Sequence, residues 1–208
     1  MKEPIVLIGG GGHCKSCIDV IEQGEEYQIV GILDAPEKVG ERILGYEIIG
    51  TDDDFIELLK TISNYLITVG QIKSAAKRVK LYSMVKNGGG SLPAIISPNA
   101  YVAKSATIGE GTIIMHNAII NAEAHIGANC IINSKALVEH EAIIGDFCHI
   151  STGVIINGQT KVGDRCFVGS NAVLINNISI SDEVIISAGS RVLMDLNEAG
   201  TYSDNKRL

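Results

Sequence analysis

From Val102 to Val192 a branched aliphatic residue returns at every sixth position without an insertion: Val102, Ile108, Ile114, Ile120, Ile126, Ile132, Val138, Ile144, Ile150, Ile156, Val162, Val168, Leu174, Ile180, Ile186 and Val192. Four residues after most of these the chain is small, as at Ala106, Thr112, Ala118, Ala124, Cys130, Ala136, Ala142, Cys148, Thr160, Cys166 and Ala172. A helix repeats at about 3.6 residues and a single strand at 2, so neither element alone gives a period of six. A coil of short strands does. Each six-residue unit forms one side of a triangular prism, its aliphatic points inward, and the small residue lets the chain turn the corner. Three sides make a coil of eighteen residues, and residues eighteen apart stack at about the 4.8 Å spacing of neighbouring strands. The pattern therefore predicts a parallel β-helix of roughly five coils in which each coil buries its interior only against its neighbours.

Before residue 90 the texture changes. "PIVLIG" reads as a strand, the glycines that follow as a turn, and "HCKSCIDVIEQ" as a helix; "QIVGILD" is a second strand ending at Asp34. "TDDDFIELLK" is a capped helix, "YLITVG" a strand ending at Gly70, and "QIKSAAKRVKLYSMVK" a further helix. Strands alternating with helices predict a parallel sheet. "NGGGS" at residues 87–91 is a candidate linker. The chain thus divides into residues 1–90, a Rossmann-like α/β domain, and residues 91–208, the β-helix.

Composition narrows the partners. Apolar residues are 46% of the chain but aromatics only 4%, which suits stacked aliphatic layers. The formal charge of −7 argues against nucleic acid or an anionic membrane surface as main partner, since both reward basic patches. No apolar run reaches the roughly 18 residues of a membrane span, and the run at the start is too short for a signal peptide. A cytoplasmic protein is the expectation. Its five cysteines then read as thiols. Cys14-x-x-Cys17 is a lone pair read as core filler, and Cys130, Cys148 and Cys166, eighteen apart, should form a column.

Two places ask for chemistry. The first is Glu139-His140-Glu141, a cluster of ionisable groups in a ladder that needs only aliphatics. A histidine titrating near neutrality can take a proton, and a neighbouring carboxylate raises its basicity. Adjacent residues of an extended strand point apart, so Glu141 reaches His140 only at a bend or through a neighbouring coil. Stacking by eighteen sets Ala122 and Gly158 beside His140, and Glu123 and Gln159 beside Glu141. The small neighbours suggest a gap that admits an acceptor. His116 and His125 read as solvated surface. The second place is Gly9-Gly10-Gly11-Gly12-His13 after the first strand. Cys14 stands where G-x-G-x-x-G needs its last glycine, and no Gly-Lys-Ser/Thr follows, so neither dinucleotide fingerprint nor P-loop is met. The loop is either a tight turn or a nucleotide or sugar-phosphate site. His13, Asp34 and Gly70 all fall at strand carboxyl ends, where such sheets bind ligands.

A half domain with "IGGGGH" followed by an unbroken hexapeptide ladder carrying "EHEAIIGDFCHISTG" resembles the bacterial nucleotide-sugar acetyltransferases of the left-handed β-helix class, those of bacillosamine and perosamine synthesis, with sialic-acid O-acetyltransferases as relatives. The likeness covers nearly the whole chain. It implies a left-handed helix, a homotrimer, a nucleotide-sugar substrate bound in the front domain, and acetyl-CoA in a groove between neighbouring prisms. It implies His140 as general base and Glu141 as the carboxylate that tunes it, acting on the 4-amino group of a nucleotide-linked 4-amino-4,6-dideoxy sugar. By the same likeness His149, Ser170 and Ala188 contact the coenzyme, while Gly11, Gly12, His13, Asp34 and Gly70 contact the nucleotide sugar. One departure stands out: the family usually finishes with Gly-x-Pro-Ala-Lys near the coenzyme, and here the sequence reads "GTYSDNKRL". Three other readings remain open on the sequence: a sialic-acid-type O-acetyltransferase, a zinc β-helix of the carbonic anhydrase kind built on prism histidines, and a nucleotide-sugar binder without catalysis.

Overall fold

The computed structural model describes residues 2–208. In the front unit β1 (Glu3–Ile8), β2 (Tyr27–Leu33), β4 (Tyr46–Gly50) and β5 (Asn64–Ile67) are joined by β3 (Arg42–Ile43) in one sheet of order β3-β4-β2-β1-β5. The pairs β1–β2, β1–β5 and β2–β4 are parallel, as the alternation of strands and helices predicts. The β3–β4 hairpin is antiparallel and was not foreseen. Helix α1 (Gly12–Gln23) buries Cys14, Cys17, Ile18 and Ile21, one helical stripe laid on the sheet. The C-x-x-C is therefore core, and burial pushes both thiols up. A capping box between Thr51 and Asp54 opens the turn that leads into α2 (Phe55–Leu58). Helix α3 (Ala76–Gly88) begins later than its sequence suggests, because residues 71–75 form an irregular loop. The run at 87–91 is an ordered helix stop: Gly89 adopts φ 88° as the C-cap, and Ser91 bonds to the edge of β5 through Ser91 N–H to Ser63 O and Tyr65 N–H to Ser91 O. We propose residue 90 as the end of the front unit.

The rest is the predicted prism, a left-handed parallel β-helix of two-residue strands in three sheets, each strand pairing with the one eighteen residues on. Every aliphatic of the six-residue ladder from Ile114 to Val192 is buried, together with Ala118, Ala124, Ala136, Ala142 and the cysteine column. Each such isoleucine contributes about 1.5–3 kcal/mol over leaving it exposed. The sequence reading missed how the corners turn. One residue per corner is left-handed, with φ near 60° at Asn117, Glu123, Lys135, Glu141 and Gln159. That conformation costs about 1–2 kcal/mol in a residue with a Cβ. A bond from the corner N–H offsets it, as where Glu141 N–H donates to Ala122 O at 3.0 Å, Gln159 N–H to His140 O at 3.0 Å and Glu123 N–H to Ser105 Oγ at 3.1 Å.

The three faces differ in what they show outward. On the first, Ile113 and Ile131 are wholly buried, packing with Met115 against Ile5, Leu7 and α1, so this face is docked on the front unit. The second carries Tyr101, Ile119, Leu137, Ile155 and Val173 in register, an apolar column with Tyr101 and Ile119 exposed. The third shows Thr107, His125, Ile143, Lys161 and Ser179. At the far end the departing sequence folds into a hairpin: Gly200–Ser203 pairs parallel with Val184–Ile186, Lys206–Arg207 turns back on it, and Tyr202 and Leu196 close the core. No helix is long and apolar enough to cross a membrane among the described residues.

Candidate active site

His140 and Glu141 occupy the corner between the second and third faces. Because Glu141 has φ 59°, the chain bends between them and the side chains meet: His140 Nδ1 lies 3.0 Å from Glu141 Oε2. The bend, not a neighbouring coil, brings them together. The next coil adds a second bond, Gln159 Nε2–H to Glu141 Oε2 at 3.1 Å. His140 and Gln159 hold the Glu141 carboxyl below the usual carboxylate range. A carboxylate accepting at Nδ1 fixes the imidazole tautomer with the proton there, leaving Nε2 with its lone pair. Glu139, the third member of the triplet, accepts from Asn121 Nδ2 at 2.8 Å and is spent on the ladder.

The gap expected beside His140 is filled by the histidine itself. A Cβ on Gly158 would stand 2.8 Å from both His140 Cε1 and Nε2, so the ring lies directly over the glycine backbone. The space that a side chain at position 158 would take is thus occupied by the His140 ring. Beside this corner a depression of about 430 Å³ is lined by Glu141, Gln159, Lys161, Asn177 and Ser179.

His149 has a different setting. It projects from the docked face, only 9% exposed, and Nδ1–H donates to Gln71 O at 2.6 Å. Asn133 Nδ2 lies 3.3 Å from its Nε2, and Phe167 meets its ring edge-to-face at 5.2 Å. Burial lowers its pKa to about 4, against the raising effect of the Gln71 carbonyl and with help from the Arg78 charge. Ser170 and Ala188 stack on one another's register at the corner between the first and second faces, where Ser170 Oγ is 2.9 Å from Ser151 Oγ. Within one chain this corner and the His140 corner are separate vertices of the triangle. The structure does not bring the two groups together.

In the front unit the proposed substrate residues do gather, at the carboxyl ends of β1, β2 and β5. Gly9 has φ 107°, and a Cβ there would meet Val69 Cγ2 at 2.4 Å, so the turn after β1 requires glycine. Gly11 and Gly12 face open space at the start of α1, whose first amides carry no side-chain cap. The Asp34 carboxylate accepts from Gly10 N–H at 3.0 Å, Ala35 N–H at 2.9 Å and Lys38 Nζ at 2.9 Å. Burial alone would raise its pKa; these three donors outweigh that and lower it. Asp34, Asp52, Asp53, Val69, Lys77 and Lys80 are among the residues lining a cavity of about 330 Å³, which therefore carries both acidic and basic side chains. His13 and Gly70 abut, Cβ to Cβ position at 3.6 Å. The His13 ring lies 6.4 Å from that of His149. Burial, then the charges of Arg78 and His149, lower the His13 pKa to about 3, and its Nε2 has no partner.

Sequence reasoning missed three residues here. Gln71 bonds through Nε2 to Phe147 O at 2.9 Å and through its carbonyl to His149. Arg78 is buried at the seam between the units and reaches Asn129 of the prism. Its signal was present: Arg78 shares one helical stripe with Leu81 and Val85, a cation in an apolar row. His116, expected on the surface, is also at the seam, with Nδ1 2.7 Å from Ser97 Oγ and Nε2 3.0 Å from Asp19 Oδ2. Ser97 is only 1% exposed and accepts from Asn99 N–H, so this trio fastens the units and presents no nucleophile. His125, by contrast, is exposed beside Thr107.

Residues 4–85 match the family model of the PglD N-terminal domain, and residues 95–195 that of the GMPPB C-terminal domain. A perosamine N-acetyltransferase from Caulobacter crescentus, solved with a histidine replaced by asparagine and with CoA and GDP-perosamine bound, is 31% identical. The match covers 96% of this chain and 93% of that one, with a TM-score of 0.88. The acetyltransferase domain of PglB from Neisseria gonorrhoeae FA1090, in complex with acetyl coenzyme A, is 26% identical over 100% of both chains, with a TM-score of 0.92. The UDP-N-acetylbacillosamine N-acetyltransferase of Bacillus subtilis (strain 168) is 35% identical over 114 residues, 53% of this chain; the match spans 50% of that relative's own length.

Proposed function

The chain belongs to the nucleotide-sugar N-acetyltransferases that join a PglD-type N-terminal domain to a hexapeptide-repeat β-helix, and on that premise we propose that it moves the acetyl group of acetyl-CoA onto the 4-amino group of a nucleotide-linked 4-amino-4,6-dideoxy sugar. The observation that carries the mechanism is the His140–Glu141 pair at 3.0 Å, with Nε2 left free over Gly158. The amine nitrogen attacks the thioester carbonyl carbon, and its proton passes to Nε2. The imidazolium so formed is stabilised by the Glu141 carboxylate at Nδ1. The tetrahedral intermediate collapses to the amide and a thiolate, which takes the proton back from Nε2. Glu141 stays ionised throughout, consistent with its lowered pKa.

The nucleotide goes to the 330 Å³ cavity, with the diphosphate toward Lys77 and Lys80. His13 and Gly70 then face the sugar. Acetyl-CoA lies along the prism between two copies, since His140 and the Ser170–Ala188 corner belong to different vertices of one chain and a neighbour is needed to make them one site. The apolar column from Tyr101 to Val173 is the face on which the copies meet, as a homotrimer. The cytoplasm is the compartment this reading calls for, and five free cysteines suit it. Thiol release from acetyl-CoA, measured against UDP-, GDP- and dTDP-linked 4-amino-4,6-dideoxy sugars and against sialic acids, tests the proposal. Turnover confined to nucleotide-linked amines is the expected result. Turnover on sialic acid hydroxyls alone, or on none of the panel, overturns it.

A further inference from the structure

Arg78 is buried, 1% exposed, and among the described residues its partners are carbonyl oxygens and no carboxylate. A buried cation without a counter-ion is costly unless every donor finds an acceptor. Here four of its five donors do, the hydrogens on the two Nη atoms being divided evenly between the units, while the buried Nε–H has no partner. Nη1 donates to Ile67 O at 3.0 Å and Val69 O at 2.8 Å, both at the end of β5. Nη2 donates to Asn129 O at 2.8 Å and to Asn129 Oδ1, both on a corner of the prism. Asn129 is itself wholly buried, left-handed at φ 51°, and lies on the docked side. The planar fork of one guanidinium therefore spans two units, which a lysine ammonium with its single nitrogen does not reproduce.

What the fork holds bears on the reaction. Val69 is the residue on which the Gly9 turn rests and a wall of the nucleotide cavity. The next two residues are Gly70, which abuts His13, and Gln71, whose backbone carbonyl accepts a hydrogen bond from His149 Nδ1–H. On the same helix, Lys77 and Lys80 face the cavity while Arg78 faces the prism.

We propose that Arg78 is a positioning residue that fixes the height of the nucleotide cavity on the prism and so delivers the sugar amine to the acetyl-transfer corner. This rests on the functional reading above. The residue touches neither substrate; it acts through Val69–Gln71 and Asn129. A misplacement of about 1 Å at a reacting centre can cost 10²-fold in rate. Arg78→Lys keeps the charge and loses the fork. In that variant kcat/KM for GDP-perosamine, the sugar bound in the Caulobacter relative, falls about 10- to 100-fold. The KM for acetyl-CoA rises less than that for the sugar, because Ser170 and Ala188 lie at a corner of the prism that Arg78 does not touch. Hydrogen exchange of the Thr68 amide, which bonds to Ile8 O between the two carbonyls that the fork holds, rises in the same variant. Asn129→Gly, tolerated at positive φ, removes one acceptor and gives the same changes at about a third of the size. It decides the matter if Arg78→Lys does not fold. Unchanged exchange at Thr68 in the folded variants, or equal losses for sugar and coenzyme, overturns the proposal. If the wild-type protein acetylates no sugar, the functional reading fails, and the exchange measurement still decides whether Arg78 holds the seam.

Discussion

His140 and His149 stand nine residues apart on the same solenoid, and the fold uses them in opposite ways. His140 sits at an uncovered corner with 55% of its side chain exposed, its Nδ1 turned to a carboxylate and its Nε2 free. His149 sits on the face that the front unit covers; its Nδ1 proton goes to a backbone carbonyl and burial holds it neutral. The repeat fixes where a side chain leaves the prism. What lies over that face decides whether the imidazole can exchange protons with a substrate.

The largest effect should come from the exposed partner. Replacing His140 with Ala is expected to lower kcat by about 10²–10⁴, the usual worth of a general base, with KM values little changed. A variant that keeps its kcat would return the corner to the role of scaffold. Gly158→Ala attacks the same ring without removing it. The new Cβ would lie 2.8 Å from Cε1 and Nε2, so the ring must move by about half an ångström or more. We expect kcat to drop about 10- to 100-fold at an unchanged melting temperature. Had the glycine served to admit the acceptor, its loss would appear in the sugar KM instead, and steady-state kinetics separate the two. Glu141→Gln keeps an oxygen opposite Nδ1 and removes the charge. Hydrogen bonds to charged groups exceed neutral ones by about 1–1.5 kcal/mol, which is about tenfold in kcat. A larger loss would mean that the glutamine turns its amide toward the ring and breaks the tautomer.

The contrast between the two histidines was half legible beforehand. The ladder from Val102 onward assigned the interior residues because one face of every hexapeptide is buried and a slip of one residue would expose it. The same arithmetic put Ala122 and Gly158 beside His140 and Gln159 beside Glu141, as the backbone bonds have them. It was silent about the left-handed corner residue, since Asn, Glu, Lys and Gln all occupy that place and no residue type marks it. It was silent, too, about the outward face, where the docking of a second unit is a long-range event. Hence His116 was read as solvated and Gly158 as a gap. Burial of His149 and the roles of Gln71 and Arg78 depend on contacts spanning 51–95 residues of sequence, beyond the reach of local pattern.

The smallest effect at neutral pH is on stability, and it belongs to the covered side. His13 and His149 titrate at about 3 and about 4 in the folded chain, against about 6.5 when unfolded. Between those limits the unfolded chain binds more protons, so unfolding becomes easier as pH falls. Stability should be fully present above pH 6.5 and decline toward pH 4, by up to about 1.4 kcal/mol per pH unit for each histidine. Urea midpoints recorded from pH 7 to pH 4 measure this slope. His149→Gln removes one titrating group from the seam and should lower the slope by about half, whereas His140→Ala acts on rate at neutral pH. If the His149 variant kept the wild-type slope, the acid sensitivity would lie elsewhere in the molecule, and the division between a covered neutral imidazole and an open one would lose its energetic basis.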